Sequence, residues 1–345
     1  MQKNKLAFVD YWHHEFTRSG DFLREVLSEK FEIQNFWWTP KKKIPLEEIE
    51  KYDYIFFFHI IFPYQIMKRI KSKNILWAPM YDGLIFRNKI QEKIFWKQIS
   101  DAGVKVLKFS KKVDYSIGNE NIESFKLKYY VKCEKKMNES KNNQLNKKIK
   151  IFFWDRGQVK LENWINIFNH NDIDEIRYFP LSDPGKKIKE DINKYKDIKF
   201  DVINKKFLPK EEYLKLLDDC DVFIAPRLKE GIGMSIVEAI SKGMYIVGFN
   251  DATMNEYIEN NKIGYLFEKN KLFKIKKEDI INNYDYRIKF ATLKYDEWKY
   301  QKQQIIEFFL RPKSKKKYSL LNLLFIFDDI KFYLKTLLKK NKFIY

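Results

Sequence analysis

The stretch from Asp221 to Phe267 limits what this chain can fold into more than any other. It opens with an apolar run, Asp221-Val222-Phe223-Ile224-Ala225-Pro226, which reads as a buried strand. The loop Arg227-Leu228-Lys229-Glu230-Gly231-Ile232-Gly233-Met234 follows. A helix over Ser235–Lys242, closed by Gly243, leads to a strand over Tyr245–Phe249. Strand, glycine loop, helix and strand make one βαβ unit, with a site-forming loop at the first strand's carboxyl end. Gly231 and Gly233 let the backbone approach a ligand, and the N–H groups of Met234, Ser235 and Ile236 are placed to meet an anion. Glu230 and Glu238 frame the loop. A phosphate repels a carboxylate, so these two suit hydroxyl groups, and the combination suits a sugar nucleotide. A structural alternative stands beside this one: Ser235-Ile236-Val237-Glu238 is also a capping-box sequence, and Glu230 an ordinary loop carboxylate.

The rest of the chain alternates strands and helices, as a doubly wound α/β protein does. Strands are expected over Leu6–Asp10, Glu32–Trp38, Tyr54–His59, Asn74–Ala78 and Val104–Phe109. The unbroken apolarity of Tyr54–His59 argues for burial on both faces, as in a parallel sheet. Helices are expected over Ser19–Leu27, Leu46–Ile49, Tyr64–Ile70 and Lys89–Ala102, whereas residues 111–137 show no clear pattern. Met137–Lys148 is polar and aperiodic and reads as a linker. The alternation then restarts with strands Ile149–Trp154, Ile176–Pro180 and Phe200–Ile203 and helices Glu162–Phe168 and Lys210–Asp218. A long helix over Phe290–Leu310 stops at Pro312. The expected layout is therefore one α/β domain over 1–140, a second over 141–285, a long helix over 286–312 and a tail over 313–345.

Glu230-Gly231-Ile232-Gly233 through Glu238-Ala239, followed by Gly243 and Asn255-Glu256, resembles the EX7E signature of retaining glycosyltransferases of the GT-B fold. More narrowly it is similar to family 4, the glycosyl transferases group 1, over roughly residues 149–268. The resemblance implies two Rossmann-like domains with the active site in the cleft they face, a nucleotide-sugar donor, and retention at the anomeric carbon without a metal or other cofactor. It implies an N-terminal half that binds the acceptor, a glycan or lipid-linked saccharide of bacterial surface polysaccharide synthesis. By the motif match Glu230 would lie at the donor sugar, Glu238 at the ribose hydroxyls, and Ile232, Gly233 and Met234 would meet sugar and phosphates through backbone. Arg156 and Lys160, just past a strand end, match the family's cations for the leaving diphosphate. Ser182, Asp183 and Gly185 lie at another strand end and are candidates for the base pocket, as is the segment Phe207-Leu208-Pro209. Arg227 departs from the small hydroxyl residues common there and is expected to tune the donor pocket. In the first half the family's double glycine is reduced to Ser19-Gly20, and its histidine after a middle strand is replaced by Tyr81-Asp82. His13, His14, Gly20, His59 and Tyr81 are the acceptor-site candidates, and Asp82 is the candidate acceptor-activating group. A buried or capping role remains open for each.

The formal charge of +20 asks for an anionic partner or reflects a coding bias toward lysine. Its placement favours a membrane surface: Arg311-Pro312-Lys313-Ser314-Lys315-Lys316-Lys317 precedes an apolar, lysine-flanked stretch from Leu320 to Leu338, too short to span a bilayer. The alternative for the same stretch is a helix that packs on the body or pairs with another chain. The charge forms no stripe with aromatic platforms, which speaks against a nucleic-acid-binding protein. A sugar-nucleotide epimerase of the same fold is the alternative enzyme. Two distant cysteines, Cys133 and Cys220, indicate neither a disulfide framework nor a zinc site. With no apolar leader after Met1-Gln2-Lys3-Asn4-Lys5, the expected location is the cytoplasm, peripheral on the inner membrane.

Overall fold

The computed structural model describes residues 3–39, 44–71, 74–135, 147–183, 187–188, 190–205, 208–268 and 273–312. The chain divides into two compact units, Met1–Leu127 with Tyr300–Tyr345, and Lys128–Lys299. Each is built on a six-stranded sheet whose pairings are all parallel.

In the first unit the strands are β1 (Asn4–Tyr11), β2 (Phe31–Trp38), β3 (Tyr54–Phe58), β4 (Asn74–Ala78), β5 (Lys105–Lys108) and β6 (Ser124–Lys126), in the order β2-β1-β3-β4-β5-β6. Every residue of β4 and the middle of β1 is buried, so these strands face apolar surroundings on both sides rather than alternating. The order reverses between β1 and β3, and such a reversal opens a crevice at the strands' carboxyl ends. The core on one face packs Val9, Phe57, Trp77 and Trp96 together.

In the second unit β7 (Ile149–Asp155), β8 (Ile173–Pro180), β9 (Phe200–Val202), β10 (Val222–Ile224), β11 (Tyr245–Phe249) and β12 (Gly264–Phe267) run in the order β12-β11-β10-β7-β8-β9. The reversal lies between β7 and β10. The strand order is that of the dinucleotide-binding doubly wound fold.

The structure changes several local expectations. Residues 162–168 do not form a helix but two 3₁₀ turns, Leu161–Asn163 and Ile165–Ile167. Trp164 between them has φ −138°, and Leu161, Trp164, Ile165, Ile167 and Phe168 are all buried. Residues 111–137 include a helix over Lys111–Ile117, capped by Ser110, and strand β6. The long helix starts at Tyr284 rather than Phe290. A short helix over His14–Thr17, between the expected strand and helix, adds to the pattern. The expected linker over Met137–Lys148 lies mostly outside the described residues, and Pro184, Gly185, Phe207 and the tail 313–345 lie wholly outside them. Among the described residues, no helix is long and apolar enough to cross a membrane.

Candidate active site at the strand-order reversals

The loops after β7 and β10 flank the reversal in the second unit, and the candidate residues gather there. Asp155, at the end of β7, is buried; its carboxylate accepts from Gly157 N at 2.7 Å and from the Tyr178 hydroxyl at 2.8 Å. Burial raises its pKa. These bonds fix the turn that presents Arg156, whose guanidinium lies over the Trp154 ring, 4.6 Å from its centroid. The loop after β8 is tied to the same turn: Leu181 N donates to Asp155 O at 3.1 Å and Asp183 N to Arg156 O at 3.2 Å.

Asp183 is the hub. Arg227 donates to it through Nε at 2.9 Å and Nη2 at 2.8 Å, Gln158 Nε2 donates at 2.7 Å, and Arg156 forms an ion pair with it. The carboxyl is buried, which alone would raise its pKa, yet the arginines and Gln158 hold it below the ordinary carboxylate value. Burial and the neighbouring Arg227 cation lower the Arg156 pKa. Arg227 Nη1 also lies 3.7 Å from Glu230 Oε2. Arg156, Asp183, Arg227 and Glu230 thus form one desolvated charge cluster drawn from three strand ends.

The helix after the loop spans Met234–Ser241. Its N-cap is Gly233 at φ +75°, a conformation open to glycine and costly for other residues, and no side chain caps the helix. The capping-box reading of Ser235 and Glu238 is therefore corrected: the helix begins one residue early, and Glu238 falls in its second turn. Glu238 is buried and pairs with Lys210 Nζ at 3.2 Å. Burial raises its pKa, against the pull of Lys210. The loop around Glu230 and Gly231 is anchored by Thr253, whose hydroxyl donates 2.8 Å bonds to both carbonyls, and by Glu230 N donating to Ala252 O at 3.1 Å. Ile232 is buried behind it, and Ser235 is half-buried.

Two side chains here carry no motif and were missed by sequence reasoning. Lys210 opens the helix Lys210–Leu217, and Tyr213 lies one turn on. The Tyr213 ring packs against Phe152 and Trp154, with centroids 5.8 and 5.7 Å apart. Its hydroxyl is buried without a hydrogen-bond partner and is electrostatically coupled to Glu238, Arg156 and Glu230. Burial raises its pKa well above the ordinary value.

Lys160 is not brought to this cluster: its side chain is 61% exposed, with Nζ 3.0 Å from Glu162. Ser182 precedes Asp183 and is partly buried. Asp218 and Asp219 follow a helix and are held by cations, Lys242 at 2.6 Å and Arg177 at 2.6 Å. Among the described residues, no group of three His, Cys, Asp or Glu side chains is placed to hold a metal.

The first unit gathers its own candidates at the β1–β3 reversal. His13 and His14 meet at 4.5 Å between ring centroids, and His14 stacks on His59 at 5.6 Å. His14 Nδ1 lies 2.6 Å from Oδ1 of Asp10, which is fully buried and also accepts from Arg24 Nη2 at 2.7 Å. Gly20 leaves room for that pair: a Cβ there would come within 2.8 Å of Arg24 Nη1. Tyr81 and Asp82 sit in a 3₁₀ turn, Tyr81–Gly83, and Gly83 lies against His59 Nε2. Asp10 and Arg24 were not among the sequence candidates.

Residues 184–295, less than half of the chain, match the family model described as glycosyl transferases group 1. No curated protein sequence gives a significant match. Among solved structures, sucrose-phosphate synthase from Thermosynechococcus elongatus superposes with TM-score 0.60 at 10% identity, covering 88% of this chain and 100% of that one. Anabaena HepE in complex with UDP gives TM-score 0.57 at 12% identity, covering 88% and 98%. A glycosyltransferase from Rickettsia africae gives 0.52 at 16%, covering 99% and 100%. At such identities the likeness is one of fold, and it agrees with the two parallel six-stranded α/β units. The chain has the GT-B fold, and its residues 184–295 are similar to the glycosyl transferases group 1.

Proposed function

We propose that this chain is a glycosyltransferase that moves a sugar from a nucleotide-sugar donor to a glycan or lipid-linked acceptor, with retention at the anomeric carbon. The observation that carries this is the largely buried cluster of Arg156, Asp183, Arg227 and Glu230 beside the Met234–Ser241 helix, at the strand-order reversal of the second unit. The family match over residues 184–295 and the HepE structures with UDP and UDP-glucose support a nucleotide-sugar donor.

In this reading the helix N-terminus and the arginines meet the diphosphate. Glu238 accepts hydrogen bonds from the ribose hydroxyls, while Glu230 faces the donor sugar and steadies the positive charge that develops at its anomeric carbon. The bond from that carbon to the diphosphate oxygen breaks. The acceptor oxygen bonds to the same face, and its proton passes to the departing phosphate. The first unit's reversal, with His13, His14, His59, Tyr81 and Asp82, takes the acceptor, Asp82 assisting its activation. The arginines neutralise the leaving group without a metal, so a chelator should leave turnover intact. The proposed setting is bacterial surface polysaccharide synthesis at the cytoplasmic face of the inner membrane, with the basic segment 313–345 against anionic lipid.

The test is release of nucleoside diphosphate from a panel of UDP-, GDP-, CDP- and dTDP-sugars, with and without membrane-extracted acceptor. Glu230→Gln should lower turnover on the order of 10²-fold at unchanged melting temperature. Turnover equal to wild type would remove Glu230 from the site. Interconversion of donor sugars without transfer would make the protein an epimerase.

A further inference from the structure

A departing diphosphate carries more negative charge than one cation offsets, and the sequence candidates for two cations are Arg156 and Lys160. The structure separates them: Arg156 lies in the buried cluster, whereas Lys160 is exposed and bound to Glu162. A different cation stands beside Arg156. Arg227, from the loop after β10, is only 22% exposed and shares the Asp183 carboxylate with Arg156, from the loop after β7.

We propose that Arg227 is the second cation for the donor diphosphate, and that Asp183 is a positioning residue that holds Arg156 and Arg227 as a pair. This rests on the donor-site reading given above.

Four observations carry it. The two guanidinium groups come from the strands on either side of the reversal, where a ligand of this fold lies. Two desolvated cations side by side repel one another, and the Asp183 carboxylate between them offsets that repulsion. Its grip is bidentate on Arg227, through Nε and Nη2, which fixes the plane of the fork as a lysine could not. Finally, Arg156 Nε is buried without a hydrogen-bond partner, a donor that a phosphate oxygen would satisfy.

The experiment is titration calorimetry on the full chain with UDP, GDP, CDP and dTDP. It is paired with ligand-observed NMR for the matching nucleosides, which lack the phosphates. Arg227→Lys keeps the charge and loses the fork. It should weaken the diphosphate that binds wild type about tenfold or more, while nucleoside affinity stays within about twofold. Lys160→Ala should leave both within about twofold. Asp183→Asn should follow Arg227→Lys, and Asp183→Glu should recover part of the loss; both are read as the ratio of diphosphate to nucleoside affinity, which a general loss of folding does not change. Wild-type diphosphate affinity in Arg227→Lys overturns the proposal, as does a larger loss in Lys160→Ala or an equal loss for nucleoside and diphosphate. If wild type binds none of the four diphosphates, the donor-site reading falls as well.

Discussion

Arg227 donates to both oxygens of Asp183, at 2.9 and 2.8 Å, and so bolts the loop after β10 to the loop after β8. Asp183 is buried and Arg227 largely so, and loss of the carboxylate charge leaves the guanidinium poorly compensated. Asp183→Asn should lower stability at pH 7 by about 2 kcal/mol, read by urea denaturation. The pH dependence has a definite sign. The folded-state pKa of Asp183 is lowered, so its contribution is present above the ordinary aspartate value of about 3.9 and fades as pH falls through the folded value. The gap between wild type and variant should close in that acid range and nowhere above it.

Tyr213 separates stability from function. A buried hydroxyl with no partner carries a desolvation cost. Tyr213→Phe removes that cost and keeps the packing on Phe152 and Trp154. The empty protein should become more stable by about 1 kcal/mol, while the affinity for a nucleoside diphosphate falls. A variant that loses stability would place a partner on that hydroxyl in the empty protein.

Glu238 gives the opposite pH signature to Asp183. Its folded pKa is raised by burial, so it favours the folded state fully only below the ordinary glutamate value of about 4.3, and loses that contribution as pH rises through the folded value. At neutral pH the buried charge is a burden, and Glu238→Gln should melt at a higher temperature than wild type. Nucleotide affinity should run the other way. In wild type it should weaken on acidification at pH values above the ordinary glutamate range, as Glu238 takes up its proton. In Glu238→Gln it should be weak and flat across that range. Calorimetric titrations at several pH values distinguish the two curves.

Lys105 tests the frame of the first unit. It lies in β5, fully buried, and its ammonium donates to the carbonyls of Phe308 at 2.6 Å, Phe309 at 3.2 Å and Arg311 at 2.7 Å. It thereby caps the end of the Tyr284–Leu310 helix. Burial lowers its pKa to about 8, so it remains mostly charged at pH 7. Lys105→Met fills the same space and strands the carbonyls, and should cost about 2 kcal/mol in denaturant unfolding. A neutral result would mean that those carbonyls find other donors.

The parts of this fold legible in the sequence are those with one-dimensional physics. Continuous apolar runs mark β1, β3, β4, β7 and β11, because strands buried on both faces admit few polar residues. The loop from Arg227 to Gly233 is legible because a glycine must stand where the backbone takes φ +75°. Strand order has no such trace, and it is the order that brings Arg156 and Arg227 to one carboxylate. Tyr213 and Lys105 hide for a related reason: a tyrosine or lysine in a helix or strand reads as ordinary core or surface until its polar atom is placed. Residues 162–168 read as a helix because Trp164, Ile165 and Phe168, with Leu161, repeat at helical spacing; the chain buries the same side chains from two 3₁₀ turns instead, and spacing alone does not distinguish the two.

The proposed function stands on nucleotide-sugar binding at the reversal between β7 and β10. Calorimetric titration of the intact chain with UDP, GDP, CDP and dTDP tests it most directly, alongside the double variant Glu230→Gln, Glu238→Gln. Saturable binding of at least one nucleotide by the wild type, abolished or weakened at least about tenfold in the folded double variant, is the predicted result. Binding of none of the four, or equal binding by both proteins, would contradict it.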